Sequence, residues 1–257
     1  MSDDRQIPGA NPQDPNDRVD PISVILPVFN ECQNLAPLVE EITDALGTIP
    51  HEIVAVDDGS EDASLEVLRN LTVRFPRMRI VALPHRSGQS AALIAGFEAS
   101  RGAIIVTLDA DGQNDPRDIP QLLELMGEPH DGLAVVGIRS NRAANPWKRI
   151  QGRIANSVRD LITGDRVRDT GCALRVARRG DLRSLPRFKG MHRFIPTLLR
   201  REGVTVLEVP VNDRPRLHGT SKYGMWDRVF VGFMDAWGVR WLIRRAFRVD
   251  RGSADQS

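Results

Sequence analysis

Short apolar runs alternate with segments whose apolar residues recur every three or four positions. ISVILPV (22–28), EIVAVDD (52–58), RIVALPH (79–85) and AIIVTLDAD (103–111) are short and rich in β-branched residues, and polar residues follow each; they predict buried strands. Between them, CQNLAPLVEEITDALG (32–47) places apolar residues at 35, 38, 39, 42, 45 and 46, a helical period. DASLEVLRNLTVRF (62–75) and SAALIAGFEAS (90–100) predict two further helices. Strand and helix in alternation imply βαβ units, a mostly parallel twisted sheet and right-handed crossovers. Further along, LAVVGIRS (133–140) predicts a fifth strand and KRIQGRIANSVRDLITG (148–164) a basic helix. CALRVARR, FIPTLLRREG and VTVLEVPV complete the body, and RPRLHGTSKYG (214–224) reads as a basic, glycine-containing loop.

Polar motifs sit directly after the strands: PVFNE, DDGSED, HRSGQS and DADGQ. Function in parallel sheets gathers at the carboxyl ends of strands, so these motifs converge on one edge. Asp109 and Asp111 are an i, i+2 pair that shares a direction if the strand continues through them. Carboxylates that close repel and raise one another's pKa. Either they fan out as a solvated turn, or a hard divalent cation such as Mg²⁺ or Mn²⁺ sits between them, with Gln113 adding an amide oxygen. Asp57 and Asp58 point to opposite faces of an extended segment, so one of them reaches a ligand, where it suits a nucleobase N–H or a ribose hydroxyl. Ser60 or Asp62 suits a cap on the next helix.

Composition narrows this modestly. The formal net charge of the 257 residues is +1, which gives no reason to expect a nucleic-acid partner. Arginine is concentrated between 139 and 248, which points to anions meeting the second half. Arg139, Arg149, Arg153, Arg216 and Lys222 are candidate phosphate ligands, since guanidinium forks match phosphate oxygens. Two distant cysteines, Cys32 and Cys172, make neither a disulfide framework nor a CxxC metal site, and a reducing cytoplasmic setting is the default. Residues 1–20 and 249–257 are expected to be disordered tails around a domain at 21–225. No apolar run is long enough for a transmembrane helix. The segment 226–248 carries Trp237, Trp241, Phe230 and Phe233 among arginines; it suits either a helix packed on the domain or an amphipathic helix on a membrane surface.

Together, ILPVFNE, VDDGS, SGQSAALIAGF, LDADGQNDP, VVGIRS, RDTGCALRV and PRLHGTSKYG resemble the inverting family 2 glycosyltransferases of GT-A fold, over about residues 22–225. Specifically, the chain looks like the dolichyl- and polyprenyl-phosphate mannose (or hexose) synthases and their bacterial relatives. The resemblance implies a GT-A fold, with a Rossmann-like nucleotide-binding half and an acceptor half. It implies that Pro27, Phe29, Glu31 and Asp58 line the nucleotide pocket, with Arg86 approaching the donor. Asp109, Asp111 and Gln113 would hold Mg²⁺ or Mn²⁺ on the donor diphosphate. Arg139, Arg149 or Arg153, and Arg216 would receive donor and lipid phosphates, with Ser221 and Lys222 close by; Asp111, Arg139, Arg216 and Lys222 carry the chemistry. The implied reaction moves a sugar from GDP-mannose or a UDP-hexose to a polyprenyl phosphate, on the cytoplasmic face of the membrane, through a surface helix or a partner membrane protein.

Two features depart from relatives. Many carry C-terminal transmembrane helices, whereas none is expected from RWLIRRAFRVD onward here, and the QxxRW motif of processive polysaccharide synthases is not matched. Two alternatives stand beside the lipid transferase. One is a family 2 transferase acting on a hydroxyl, which needs a carboxylate base, with Asp169 as the nominee. The other is a non-catalytic sugar-nucleotide binder.

Overall fold

The computed structural model of the protein describes residues 22–127, 132–139, 164, 165, 167–216 and 225–245, the side chains of 225–233 excepted. The expected tails, the basic helix at 148–164 (Gly164 apart), Arg149, Arg153, Ser221 and Lys222 lie outside these residues.

The strands are β1 (Ile22–Val28), β2 (His51–Asp57), β3 (Met78–Ala82), β4 (Ile104–Thr107), β5 (Leu133–Arg139), β6 (Arg175–Arg178) and β7 (Thr205–Val211). They form one sheet in the order β3-β2-β1-β4-β6-β5-β7. β1 to β4 are mutually parallel, as the βαβ rhythm predicts. β6 runs antiparallel to both β4 and β5. Apolar periodicity is the same whichever way a strand runs, so the pattern could place this strand but not orient it.

Helices α1 (Cys32–Leu46), α2 (Ser64–Arg74) and α4 (Ile119–Met126) cover one face of the sheet. Leu35, Leu38, Val39, Ile42 and Leu46 of α1 are buried there against Val24, Leu26 and Val28. Ile25 points the other way, as pleating requires, into a second core built from α3 (Gln89–Ala99), α5 (Arg179–Arg183), α6 (Ile195–Arg201) and α7 (Met225–Arg245). Each such fully buried aliphatic side chain contributes about 1.5–3 kcal/mol. The two layers hold the central strands rigid, so loops at their ends can carry chemistry.

α7 satisfies the first of the two expectations for the C-terminal segment and leaves the second open. Ala236 and Val239 are buried in the second core, while Met234, Trp237 and Trp241 are exposed. No helix among the described residues is long and apolar enough to cross a membrane.

Candidate active site

β4 is shorter than its apolar run suggests. Its ladder ends with Leu108 N–H donating to the Ile25 carbonyl, and the chain then turns through Gly112 at φ 73°. Asp109 and Asp111 therefore meet on a turn, not on a pleat. Burial first, then the charge of Asp111, pushes Asp109 up to about 6, opposed by Arg175, Arg139 and Arg216. One Asp109 oxygen accepts from the Gln89 amide at 2.7 Å. Asp111 accepts from the Gln113 backbone N–H at 3.1 Å and, on its other oxygen, from Arg216 at 2.6 Å. A guanidinium thus stands where the opposed carboxylates need positive charge. Burial works against the Arg216 charge, but the bond to Asp111 and the nearby Glu31 and Asp109 raise its pKa.

The second half of LDADGQNDP is a clamp. Buried Asp115 accepts from Arg117 at 2.7 Å and from Arg214 at 2.5 Å, and Arg214 also reaches Glu41 at 2.7 Å. Despite burial, these two arginines hold the Asp115 carboxyl well below the usual range. Asp118 accepts from the Asn212 backbone and amide at 2.7 and 2.9 Å, and Arg214 N–H donates to the Gln113 carbonyl at 2.8 Å. The segment after edge strand β7 is tied in this way to the loop after central β4, and the tie delivers Arg216 to Asp111.

On the other side, the loops after β1, β2 and β3 are stapled together. The Ser60 and Ser64 hydroxyls and the Asp62 carboxylate accept from the Asn30, Glu31 and Cys32 backbone N–H groups at 3.0, 2.9 and 3.2 Å. They serve the start of α1, where Glu31 makes no side-chain cap of its own. Ser60 therefore serves the preceding helix, while Asp62 serves both, its other oxygen accepting from the Ser64 N–H at the start of α2 at 2.9 Å. Asp58 accepts from Ser87 N–H at 2.6 Å and from Gly88 N–H at 2.8 Å, which orders the loop before α3. Gly59 sits at φ 66°, and a Cβ there would lie 2.7 Å from the Arg86 nitrogen, so only glycine lets the two loops touch. The Arg86 guanidinium lies 4.2 Å above the Phe29 ring, a cation–π stack. Phe29, Asp58 and Arg86 are thus brought together, with Glu31 beside them at the end of β1 and half-buried Pro27 within that strand.

Arg139, at the end of β5, is engaged. Its Nε and one Nη donate to Asp169 at 2.8 and 2.9 Å, and its backbone N–H does so at 3.2 Å. Both oxygens of Asp169 are used, and one also takes the Gly171 N–H at 3.0 Å. Asp169 therefore positions Arg139 and is a poor base for a hydroxyl acceptor. A Cβ at Gly171 would stand 2.5 Å from the Arg139 Nη, so this glycine makes room for the pair.

Next to Asp109 opens a cavity of about 220 Å³, lined among others by Gln89, Thr170, Arg175, His192 and Arg193. None of these five was singled out as a ligand from sequence. Gln89, Thr170 and Arg175 do lie inside SGQS and RDTGCALRV, whose position at strand ends was the available signal. His192 and Arg193 follow no motif.

Residues 23–185 match the profile of the family described as Glycosyl transferase family 2. The chain belongs to that family. A curated relative of this family 2 chain is the dodecaprenyl-phosphate galacturonate synthase of Rhizobium johnstonii. It is 37% identical over 231 residues, which cover 87% of this chain and 67% of that protein. Another is the undecaprenyl-phosphate 4-deoxy-4-formamido-L-arabinose transferase of Edwardsiella ictaluri, 38% identical over 209 residues, covering 79% of this chain and 63% of that protein. The family 2 chain thus spans 63–67% of the length of these two relatives. A solved structure of similar fold is glucosyl-3-phosphoglycerate synthase of Mycobacterium tuberculosis in complex with Mn²⁺, UDP-glucose and phosphoglyceric acid. Its TM-score is 0.64 at 20% identity, over 85% of this chain and 80% of that one. The fold is GT-A, as the ordered motifs implied.

Proposed function

We propose that this chain transfers a sugar from a nucleotide-sugar to a polyprenyl phosphate, of dolichyl or undecaprenyl type, with inversion at the anomeric carbon. The observation that carries the reading is the 2.6 Å pairing of Arg216 with Asp111, which joins an anion-binding guanidinium to the carboxylate pair at one sheet edge. Both curated relatives named above are described as acting on polyprenyl phosphates.

The donor set suits a hard divalent cation. Asp109 and Asp111 are mutually repelling carboxylates, and no three His, Cys, Asp or Glu side chains cluster as ligands among the described residues. Two carboxylates, the Gln113 amide and substrate oxygens are a donor set typical of Mg²⁺ or Mn²⁺. Bound there, such an ion supplies positive charge to the leaving diphosphate. Phe29, Asp58 and Arg86 hold the nucleoside, Pro27 and Glu31 complete its pocket, and Arg216 and Arg139 stabilise phosphate charge. A phosphate oxygen of the lipid attacks the anomeric carbon as the bond to the diphosphate oxygen breaks, and nucleoside diphosphate departs. The acceptor is already an anion near neutral pH, so no strong base is required. Arg149, Arg153, Ser221 and Lys222 extend the phosphate site in this reading. The exposed Trp237 and Trp241, beside Arg240, Arg244 and Arg245, suit contact with an anionic membrane surface on the cytoplasmic face or with a partner membrane protein.

The test is transfer of radiolabel from GDP-mannose and UDP-hexoses into an organic-extractable polyprenyl phosphate, with Mg²⁺ or Mn²⁺. Label should appear with one donor and vanish in Asp111→Asn. A chain that binds donor but never transfers label would be the non-catalytic alternative.

A further inference from the structure

The cavity beside Asp109 carries positive charge that the motifs leave unexplained. Most other buried and half-buried arginines of the site and its surroundings are answered by carboxylates: Arg139 by Asp169, Arg200 by Asp165 and Glu208, Arg214 by Asp115 and Glu41, Arg216 by Asp111. Arg175 is not. It is only 6% exposed, yet it lines the cavity. Among the described residues its side chain makes one hydrogen bond, from an Nη to the Thr170 carbonyl at 3.4 Å, near the limit for such a bond. A guanidinium offers five donors in a planar fork, so most of its capacity is unspent. Burial lowers its pKa, against the pull of Cys172, Asp109 and Asp169 nearby.

The fold puts Arg175 there deliberately. β6 runs antiparallel beside β4 with Arg175 opposite Thr107, so the first residue of β6 meets the last residue of β4 at the catalytic edge. Arg193 joins the same cavity, its side chain 39% exposed and only loosely paired, 3.7 Å from Asp235. His192 adds no charge: burial, with Arg193 and Arg175 nearby, pushes it down to about 3, and its Nδ1 lies 2.9 Å from the Ser90 hydroxyl. A cavity of about 220 Å³ suits a single sugar ring or a phosphate headgroup better than a lipid chain.

We propose that Arg175, with Arg193, forms an oxyanion subsite that adjoins the diphosphate site at Asp109, filled by a carboxylate on the donor sugar or by the phosphate of the acceptor. The inference rests on the transferase reading for where the sugar lies. It adds that this pocket discriminates substrates by charge.

Binding is measured by titration calorimetry on the full chain with Mn²⁺, for wild type and Arg175→Gln. Two donor pairs differ only in a carboxylate: UDP-galacturonate against UDP-galactose, and GDP-mannuronate against GDP-mannose. A short-chain polyprenyl phosphate forms the third arm. If the sugar is the source, wild type binds the acidic member of one pair roughly 10- to 100-fold tighter, and Arg175→Gln erases the difference. If the acceptor is the source, the members of each pair bind alike, and Arg175→Gln weakens polyprenyl phosphate binding by roughly the same factor. Anion binding that does not depend on Arg175 in any arm overturns the proposal. Should Arg175→Gln melt early, Arg193→Gln, on a more exposed side chain, carries the same comparison. Failure of the transferase reading looks different: no label reaches any polyprenyl phosphate, while Arg175-dependent binding is still measured.

Discussion

At Asp111 one oxygen faces a guanidinium at 2.6 Å and the other a backbone N–H at 3.1 Å. Any cation arriving at this carboxylate competes with Arg216. Arg216→Gln should therefore slow transfer by about 10²- to 10³-fold, as loss of a donor to developing charge does. It should also tighten Mn²⁺ binding to the donor-free chain by about tenfold, because a like charge has been removed from the ion's neighbourhood. Mn²⁺ titration followed by electron paramagnetic resonance checks the second effect; unchanged affinity would separate Arg216 from the cation site. The carboxylate pair was legible from sequence because its residues are two apart. The Arg139–Asp169 pair was not, since its members are 30 residues apart and local pattern carries no distance between loops. Asp169 was accordingly nominated as a base, and both its oxygens turn out to be occupied.

Elements explain how these residues are held. The clamp around Asp115 joins the loops after β4 and β7, so Asp115→Asn should loosen Arg216 without touching substrate. The expected result is a loss of roughly 1–3 kcal/mol in urea unfolding together with a fall in transfer rate. The carboxyl is held below its unfolded range, so its stabilisation is present above about pH 4 and is lost as acid protonates it. The acid limb of the wild-type stability curve should flatten in the variant. Gly171→Ala probes the other clamp: its Cβ forces Arg139 and Asp169 apart, so transfer should fall by more than urea stability does. Helix boundaries at α1 and α3 were legible to within a residue from the apolar period. α4 was passed over because, at eight residues, it is too short for periodicity to stand out from the turn chemistry of NDPRDIP before it.

The whole molecule is two apolar layers around one sheet, with the polar business on one edge. The alternation of strand and helix made the parallel half and its loaded edge legible, and the reversal of β6 escaped it. That reversal places Arg175 in the cavity, and the burial of His192 in the same cavity wall sets a pH response for the chain. His192 stays neutral in the folded state down to about pH 3, while the unfolded chain protonates it near 6.5. Folding stability should therefore fall as pH drops below 6.5, by about 2–3 kcal/mol at pH 4.5 from this group alone. Urea midpoints across that range should shift less in His192→Gln than in wild type. The pairing of Arg216 with Asp111 has a kinetic meaning as well. One Nη of Arg216 is spent on Asp111, and a cation held at that carboxylate would free it for a phosphate. Donor binding would in this way favour the acceptor phosphate, so initial-rate patterns should show a preferred order, with the nucleotide-sugar first on and the lipid second.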